Sequence, residues 1–135
     1  MKDYDKIIKE IDDIVNWWYK LEKGYTNLNH LDDVLRRLTA LYYYFNDILS
    51  DSYKVYLMSY VSRKVGYSKR VQSLIESGKT ATSAKEEAVN DEDLKDEAEQ
   101  ESLYNMLKLK GSAIAKIIDG LRQKISNLKT EINND

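Results

Sequence analysis

Between residues 53 and 70, tyrosine and arginine recur along one helical face. Tyr53, Tyr56, Tyr60, Arg63, Tyr67 and Arg70 succeed one another at steps of three or four residues. Such steps keep side chains on one side of a 3.6-residue helix. Rings and guanidiniums on one face are the chemistry of a single-stranded nucleic-acid site: cations track the phosphates, and aromatic faces stack bases at about 1–3 kcal/mol each. The same row fits a contact between two helices with tyrosine hydroxyls at its rim, a common use of tyrosine. The sequence leaves these two readings level.

Other groups with chemical potential are weaker. Gly78-Lys79-Thr80 matches the end of a phosphate-binding loop, but the pattern needs a glycine where Ser73 stands and a strand before it. Asp91, Glu92 and Asp93 suggest a calcium loop until Lys95 and Asp96, which stand where a ligand and the obligatory glycine belong. A solvated acidic face is expected there. His30 is the only histidine and cysteine is absent, which excludes histidine-rich and thiolate metal sites and disulfides. Beside Asp32 and Asp33 at a helix start, His30 reads as a surface or capping residue. Nothing isolates a pair of acids in a dry cleft, as acid-base catalysis requires. The expectation is a protein that is not an enzyme and takes no metal or cofactor.

The elements that must position the Tyr/Arg row are helical. The 135 residues include no proline and five glycines, so little interrupts a helix. No apolar run approaches the ~18 residues of a membrane span, and the charged start MKDYDKIIKEIDD does not read as a signal peptide. A cytoplasmic location is expected, and the lack of cysteine fits it. Net charge is −2, but it is organised by segment. Residues 52–80 carry Lys54, Arg63, Lys64, Lys69, Arg70 and Lys79 against Glu76 alone; residues 81–101 carry nine acids and two lysines; residues 102–135 are basic again.

Periodicity predicts a first helix over about residues 3–23, with Ile7, Ile8, Ile11, Ile14, Val15, Trp18 and Leu21 on one side and Gly24 ending it. A second helix starts near Asn29 as cap. Its seam runs through Leu31, Leu35, Leu38, Tyr42, Phe45 and Leu49, which puts Tyr42 inside and Tyr43 outside. The Tyr/Arg row continues this phase, while Leu57, Val61, Val65 and Ile75 form a separate apolar side. Ser50-Asp51-Ser52 is expected to break or bend the helix. Residues 77–83 read as a linker between an N-terminal part, 1–76, and a C-terminal part, 84–135, of one domain. Gly78 caps the helix before the linker, and Ser83 with Glu86 forms a capping box for the helix after it. The acidic stretch to Glu101 is helical by propensity, but Ala84, Ala88, Leu94 and Ala98 anchor it weakly. The last helix, about 102–132, carries a strong seam through Leu107, Ile114, Ile118, Leu121, Ile125, Leu128 and Ile132, with a gap at Gly111.

This order of parts resembles small helical phage proteins encoded among recombination genes, and most of all the recombination mediators of the UvsY type. The resemblance lies in "LYYYF" through "SRKVGYSKR", then "SGKTATSAKEEAVNDEDLKDEAEQESLYNMLKLKGSAIAKIIDGLRQKISNL", about residues 41–128. It implies a non-enzymatic homo-oligomer that binds single-stranded DNA and helps a recombinase replace the single-strand-binding protein. It also implies a DNA-facing set of Tyr60, Arg63, Lys64, Tyr67, Lys69 and Arg70.

The expected architecture is all-α: an elongated bundle of about three to five helices whose coiled-coil-like terminal helix pairs with other copies through Leu107, Ile114, Ile118, Leu121, Ile125 and Leu128. The expected function is that of a single-stranded DNA-binding recombination mediator, with a recombinase and a single-strand-binding protein as partners. The alternative is a helical inhibitor or scaffold whose acidic segment imitates DNA.

Overall fold

The computed structural model describes residues 4–134, which form four α-helices and no strand. Helix α1 spans Tyr4–Tyr19, α2 Leu28–Glu76, α3 Ala81–Glu87 and α4 Asp91–Asn134. The protein is all-α, and its long helices fit a helical bundle. No described helix is long and apolar enough to cross a membrane.

Helix ends are set by local hydrogen bonding. The expected start of α1 at Asp3 lies outside the described residues. Its end comes at Tyr19, earlier than Lys23: the Lys20 and Leu21 amides fall back on the Trp17 and Trp18 carbonyls. Trp17 then meets the edges of Tyr25 and His30 at 6.1 and 5.2 Å, so ring packing turns the chain before Gly24. Helix α2 is capped by Asn27, not Asn29, since the His30 amide donates to Asn27 Oδ1 at 3.1 Å. It runs 49 residues without interruption, so the break expected at Ser50-Asp51-Ser52 does not occur. Serine inside a helix costs only about 0.5 kcal/mol, too little to stop a helix of this length. Gly78, at φ 101°, ends α2. The Gly78 and Lys79 amides donate to the Ile75 and Leu74 carbonyls in the paired pattern of a glycine-terminated helix. Thr80, not Ser83, caps α3: its hydroxyl accepts the Ser83 amide at 3.2 Å. Asn90 caps α4 in the same way through the Asp93 amide.

Two compact units divide the chain, Met1–Leu49 with Leu107–Asp135, and Ser50–Met106. Both α2 and α4 contribute to each, so the division cuts across the long helices and not at residues 77–83.

The first unit holds the apolar core. Ile11 of α1, Leu31, Leu38, Leu41, Phe45 and Ile48 of α2, and Leu107, Ile114, Ile117, Ile118, Leu121 and Ile125 of α4 are buried in one cluster, with Tyr42 and Leu128 packed against it. Each fully buried side chain of this size contributes roughly 1.5–3 kcal/mol. Two glycines of α4 give way to rings: a Cβ at Gly111 would lie 3.2 Å from the Phe45 ring, and one at Gly120 2.8 Å from Trp18. The seam assigned to pairing with other copies is thereby corrected. Leu107, Ile114, Ile118, Leu121 and Ile125 are buried, and Leu128 partly so, against α1 and α2 of the same chain. The seam is as long as it is because two helices cover it.

The second unit has no such core. Among residues 50–106 the buried positions are Ser52, Ala84 and Ala88, while Val55, Leu57, Met58, Val61, Val65, Ile75, Leu94 and Leu103 are exposed. Polar ties and stacked rings hold α2 and α4 together here, and they are the surroundings of the Tyr/Arg row.

Candidate nucleic-acid interface

Successive residues of a helix turn by about 100°, so the row from Tyr53 to Arg70 divides between two directions. Ser52, Tyr56, Ser59, Arg63 and Arg70 point at α4. Arg63 donates from Nε and Nη2 to both carboxylate oxygens of Glu97, the second at 3.3 Å. The two side chains are only 25% and 14% exposed. This hydrogen bond, followed by the Glu97 charge, raises the Arg63 pKa against the opposing effect of burial, so the guanidinium is fixed in its charged form. Arg70 donates from Nε to the Ala88 carbonyl at 2.8 Å and pairs with Asp93 at 3.3 Å. Gly66 makes room for it, because a Cβ there would stand 3.0 Å from Arg70 Nη1. Ser59 donates to Asp96 at 2.8 Å. The Tyr56 ring lies nearly parallel to Tyr104 at 6.2 Å, and Tyr53 is tilted against the same ring at 5.1 Å. Burial, then the carboxylates of Glu101 and Glu97, push the Tyr56 hydroxyl above its ordinary pKa.

The remainder of the row lies on a flank. By helical phase Tyr53, Tyr60, Lys64 and Tyr67 share one side of α2. The Lys64 ammonium sits 4.7 Å from the centre of the Tyr60 ring, and the Arg63 guanidinium 5.5 Å from it. Lys64 and Lys69 are exposed, Tyr60 and Tyr67 half-buried. Of the eight residues expected to face nucleic acid, Arg63, Arg70 and Tyr56 are thus turned toward α4. Tyr60, Lys64 and Tyr67 keep open surface on the flank, Tyr53 is 43% exposed although it leans on Tyr104, and Lys69 is exposed on the opposite side of α2.

Sequence reasoning missed the partners of the row: Asp93, Asp96, Glu97 and Tyr104. A signal for them existed. Asp93, Glu97, Gln100 and Tyr104 stand in three- and four-residue steps that run into Leu107, in phase with the apolar seam of α4. The same acids account for part of the negative block.

The other candidates resolve simply. Gly78-Lys79-Thr80 terminates one helix and caps the next, with no strand before it. Asp91, Glu92 and Asp93 form the first turn of α4, where they complement the helix dipole. His30 shares a hydrogen bond with the Tyr25 hydroxyl inside the Trp17 ring cluster.

The chain matches no protein-family model, no curated protein and no solved structure.

Proposed function

We propose that the chain is a non-enzymatic single-stranded DNA-binding protein and that the strand runs along the open flank of α2. One observation carries the reading. With Arg63 and Arg70 held by acids of α4, two rings and a lysine, Tyr60, Lys64 and Tyr67, keep outward surface, and Tyr53 beside Tyr104 is 43% exposed. Rings give bases a surface to stack on, the lysine takes phosphate, and the paired arginines set the spacing without neutralising phosphate themselves. The role of recombination mediator, acting with a recombinase and a single-strand-binding protein, belongs to this proposal through the resemblance of residues 41–128. Fluorescence anisotropy with a labelled oligonucleotide at about 50 mM salt is the test. Binding whose salt slope falls by about 0.7 on replacing Lys64, and stays unchanged on replacing Lys69 on the opposite side of α2, supports the reading; no binding at that salt removes it.

A second reading has its own observation. Leu57, Met58, Val61, Val65 and Ile75 lie on the side of α2 away from α4 and are exposed, an apolar surface of the sort that marks protein contacts. Self-association as a homo-oligomer, or attachment to a protein partner, would use this side and not the seam of α4. The reading of the acidic segment as a DNA-like decoy loses support, since Asp93, Asp96 and Glu97 already have partners on α2.

A further inference from the structure

Beside the open flank, Arg63, Tyr67, Arg70, Val89, Asn90 and Leu94 line a cavity of about 270 Å³. We propose that it receives one nucleobase of the bound strand, and specifically a base that presents carbonyl oxygens, such as thymine, uracil or guanine. This rests on the single-strand reading above and adds a place and a preference to it.

Size comes first. Pockets for drug-sized ligands run from about 300 to 1,000 Å³, so this cavity suits one ring system and little more. Its wall suits a flat, mostly apolar guest: Tyr67 supplies an aromatic face, and Val89 and Leu94 supply aliphatic surface. Charge decides between base and phosphate. Each guanidinium at the cavity has a carboxylate partner, Arg63 with Glu97 and Arg70 with Asp93, so the site is close to neutral and does not favour an anion. Phosphates go instead to Lys64, which is exposed on the same flank.

Hydrogen bonding decides between bases. A guanidinium has five N–H donors and no acceptor. Arg63 directs two groups at Glu97, and Arg70 directs one at the Ala88 carbonyl and one at Asp93. Donors remain on both, and the partners already made hold the two forks in place, so a base would meet donors whose rotamers are fixed beforehand. Carbonyl oxygens accept from such donors, as in arginine pairing to guanine. Adenine offers ring nitrogens as acceptors but no carbonyl, and its amino group adds a donor that a guanidinium cannot meet.

The experiment compares binding of labelled oligothymidylate and oligodeoxyadenylate to the full chain and to Leu94→Trp. Leu94 is 44% exposed, so an indole there fills the cavity without disturbing a core; circular dichroism and urea denaturation check that the variant folds as the parent does. The expected result is a preference of about tenfold for thymidylate in the parent, the size of one arginine-to-base contact, and its loss in Leu94→Trp. Measuring the preference against the variant removes the contribution of self-stacking in the adenylate strand. Equal affinity for the two strands in the parent, or an unchanged preference in Leu94→Trp, overturns the cavity proposal while leaving strand binding in place. Absence of binding to either strand by the parent overturns the single-strand reading itself. Thymidine monophosphate is the remaining arm: it should compete far more weakly than the oligonucleotide, and competition as strong as the strand's would make this a mononucleotide site and overturn the assignment to a strand.

Discussion

The same two helices build two different contacts. In the first unit α2 and α4, joined by α1, bury Leu31, Leu38, Phe45, Ile114 and Leu121 completely. In the second unit they meet through Arg63 with Glu97, Arg70 with Asp93, Ser59 with Asp96, and Tyr53 and Tyr56 against Tyr104. Both contacts keep a step of three and four residues; what changes is the chemistry of the repeating position. An apolar seam gains stability in proportion to the area removed from water, without demanding a particular direction of contact. A polar seam gains little net energy per pair but penalises any partner left alone. The first unit is thus built for stability. The second holds cations and rings in set positions near the surface, which is what a binding site needs.

The largest effects should separate the two contacts. Ile114→Ala or Leu121→Ala, each in a fully buried position, should cost about 2–5 kcal/mol in urea denaturation, whereas Val61→Ala or Leu94→Ala in the second unit should cost well under about 1 kcal/mol because both side chains are exposed. Similar losses at all four positions would erase the distinction. Next in size is Arg63→Ala, which leaves the 14%-exposed Glu97 side chain without its cation. A loss of about 1–3 kcal/mol is expected. Hydrogen exchange should show the opening confined to residues near 63 and 97, and opening spread evenly through the chain would contradict a separate polar contact.

Smaller effects sharpen the comparison further. Gly120→Ala places a methyl group against the Trp18 ring. Overpacking of about 1–3 kcal/mol outweighs a helix-propensity gain near 1 kcal/mol, for a net loss of about 1 kcal/mol. Gly111→Ala, with 3.2 Å to Phe45, should come out close to neutral, and a reversed order would mean that the α1 contact is looser than the α2 contact. The smallest effect is in pH. Tyr56 is held above its ordinary pKa by burial and by Glu101 and Glu97. Its neutral form is therefore the one the folded state favours, so this contribution is complete below about pH 10, the unfolded value, and is lost as pH rises through the raised folded value. Ultraviolet difference titration of Tyr56→Phe against the parent should remove a late-titrating tyrosine; removal of an early one would contradict the placement of Tyr56 beside the acids of α4.

Much of this is legible in the chain. The inward phase of α2 from Leu31 to Leu49 comes from spacing alone, as does the glycine stop at Gly78, because both depend on local geometry. Within "LYYYF" the phase correctly turns Tyr42 and Phe45 inward, half-buried and buried, and Tyr43 outward, 71% exposed. What is not legible depends mostly on contacts distant in sequence. Ser50-Asp51-Ser52 stays helical because its propensity deficit is small against a helix of 49 residues. Helix α1 stops at Tyr19 because Trp17 packs on Tyr25 and His30. The seam of α4 points to another copy when read alone, because its cover, α1 and α2, comes from the far end of the chain. Glu97 and Asp93 read as solvated because charge is usually a mark of surface, although their phase matches Leu107 and Ile114. For the candidate site, residue types are legible and their division between α4 and the open flank is not: Arg63 and Arg70 belong to the same three- and four-residue steps as Tyr60 and Tyr67.

The central claim is that a single strand of DNA lies on the open flank of the second unit, and the most direct measurement is the affinity of a labelled oligonucleotide for Tyr60→Ala and Tyr67→Ala, with Tyr43→Ala as the control ring outside that unit. Each flank variant should weaken binding by about 1–3 kcal/mol, the contribution of one stacked base, and Tyr43→Ala, although its ring is exposed, should leave affinity unchanged. Equal losses from all three rings, or no loss from Tyr60 and Tyr67, would contradict the account.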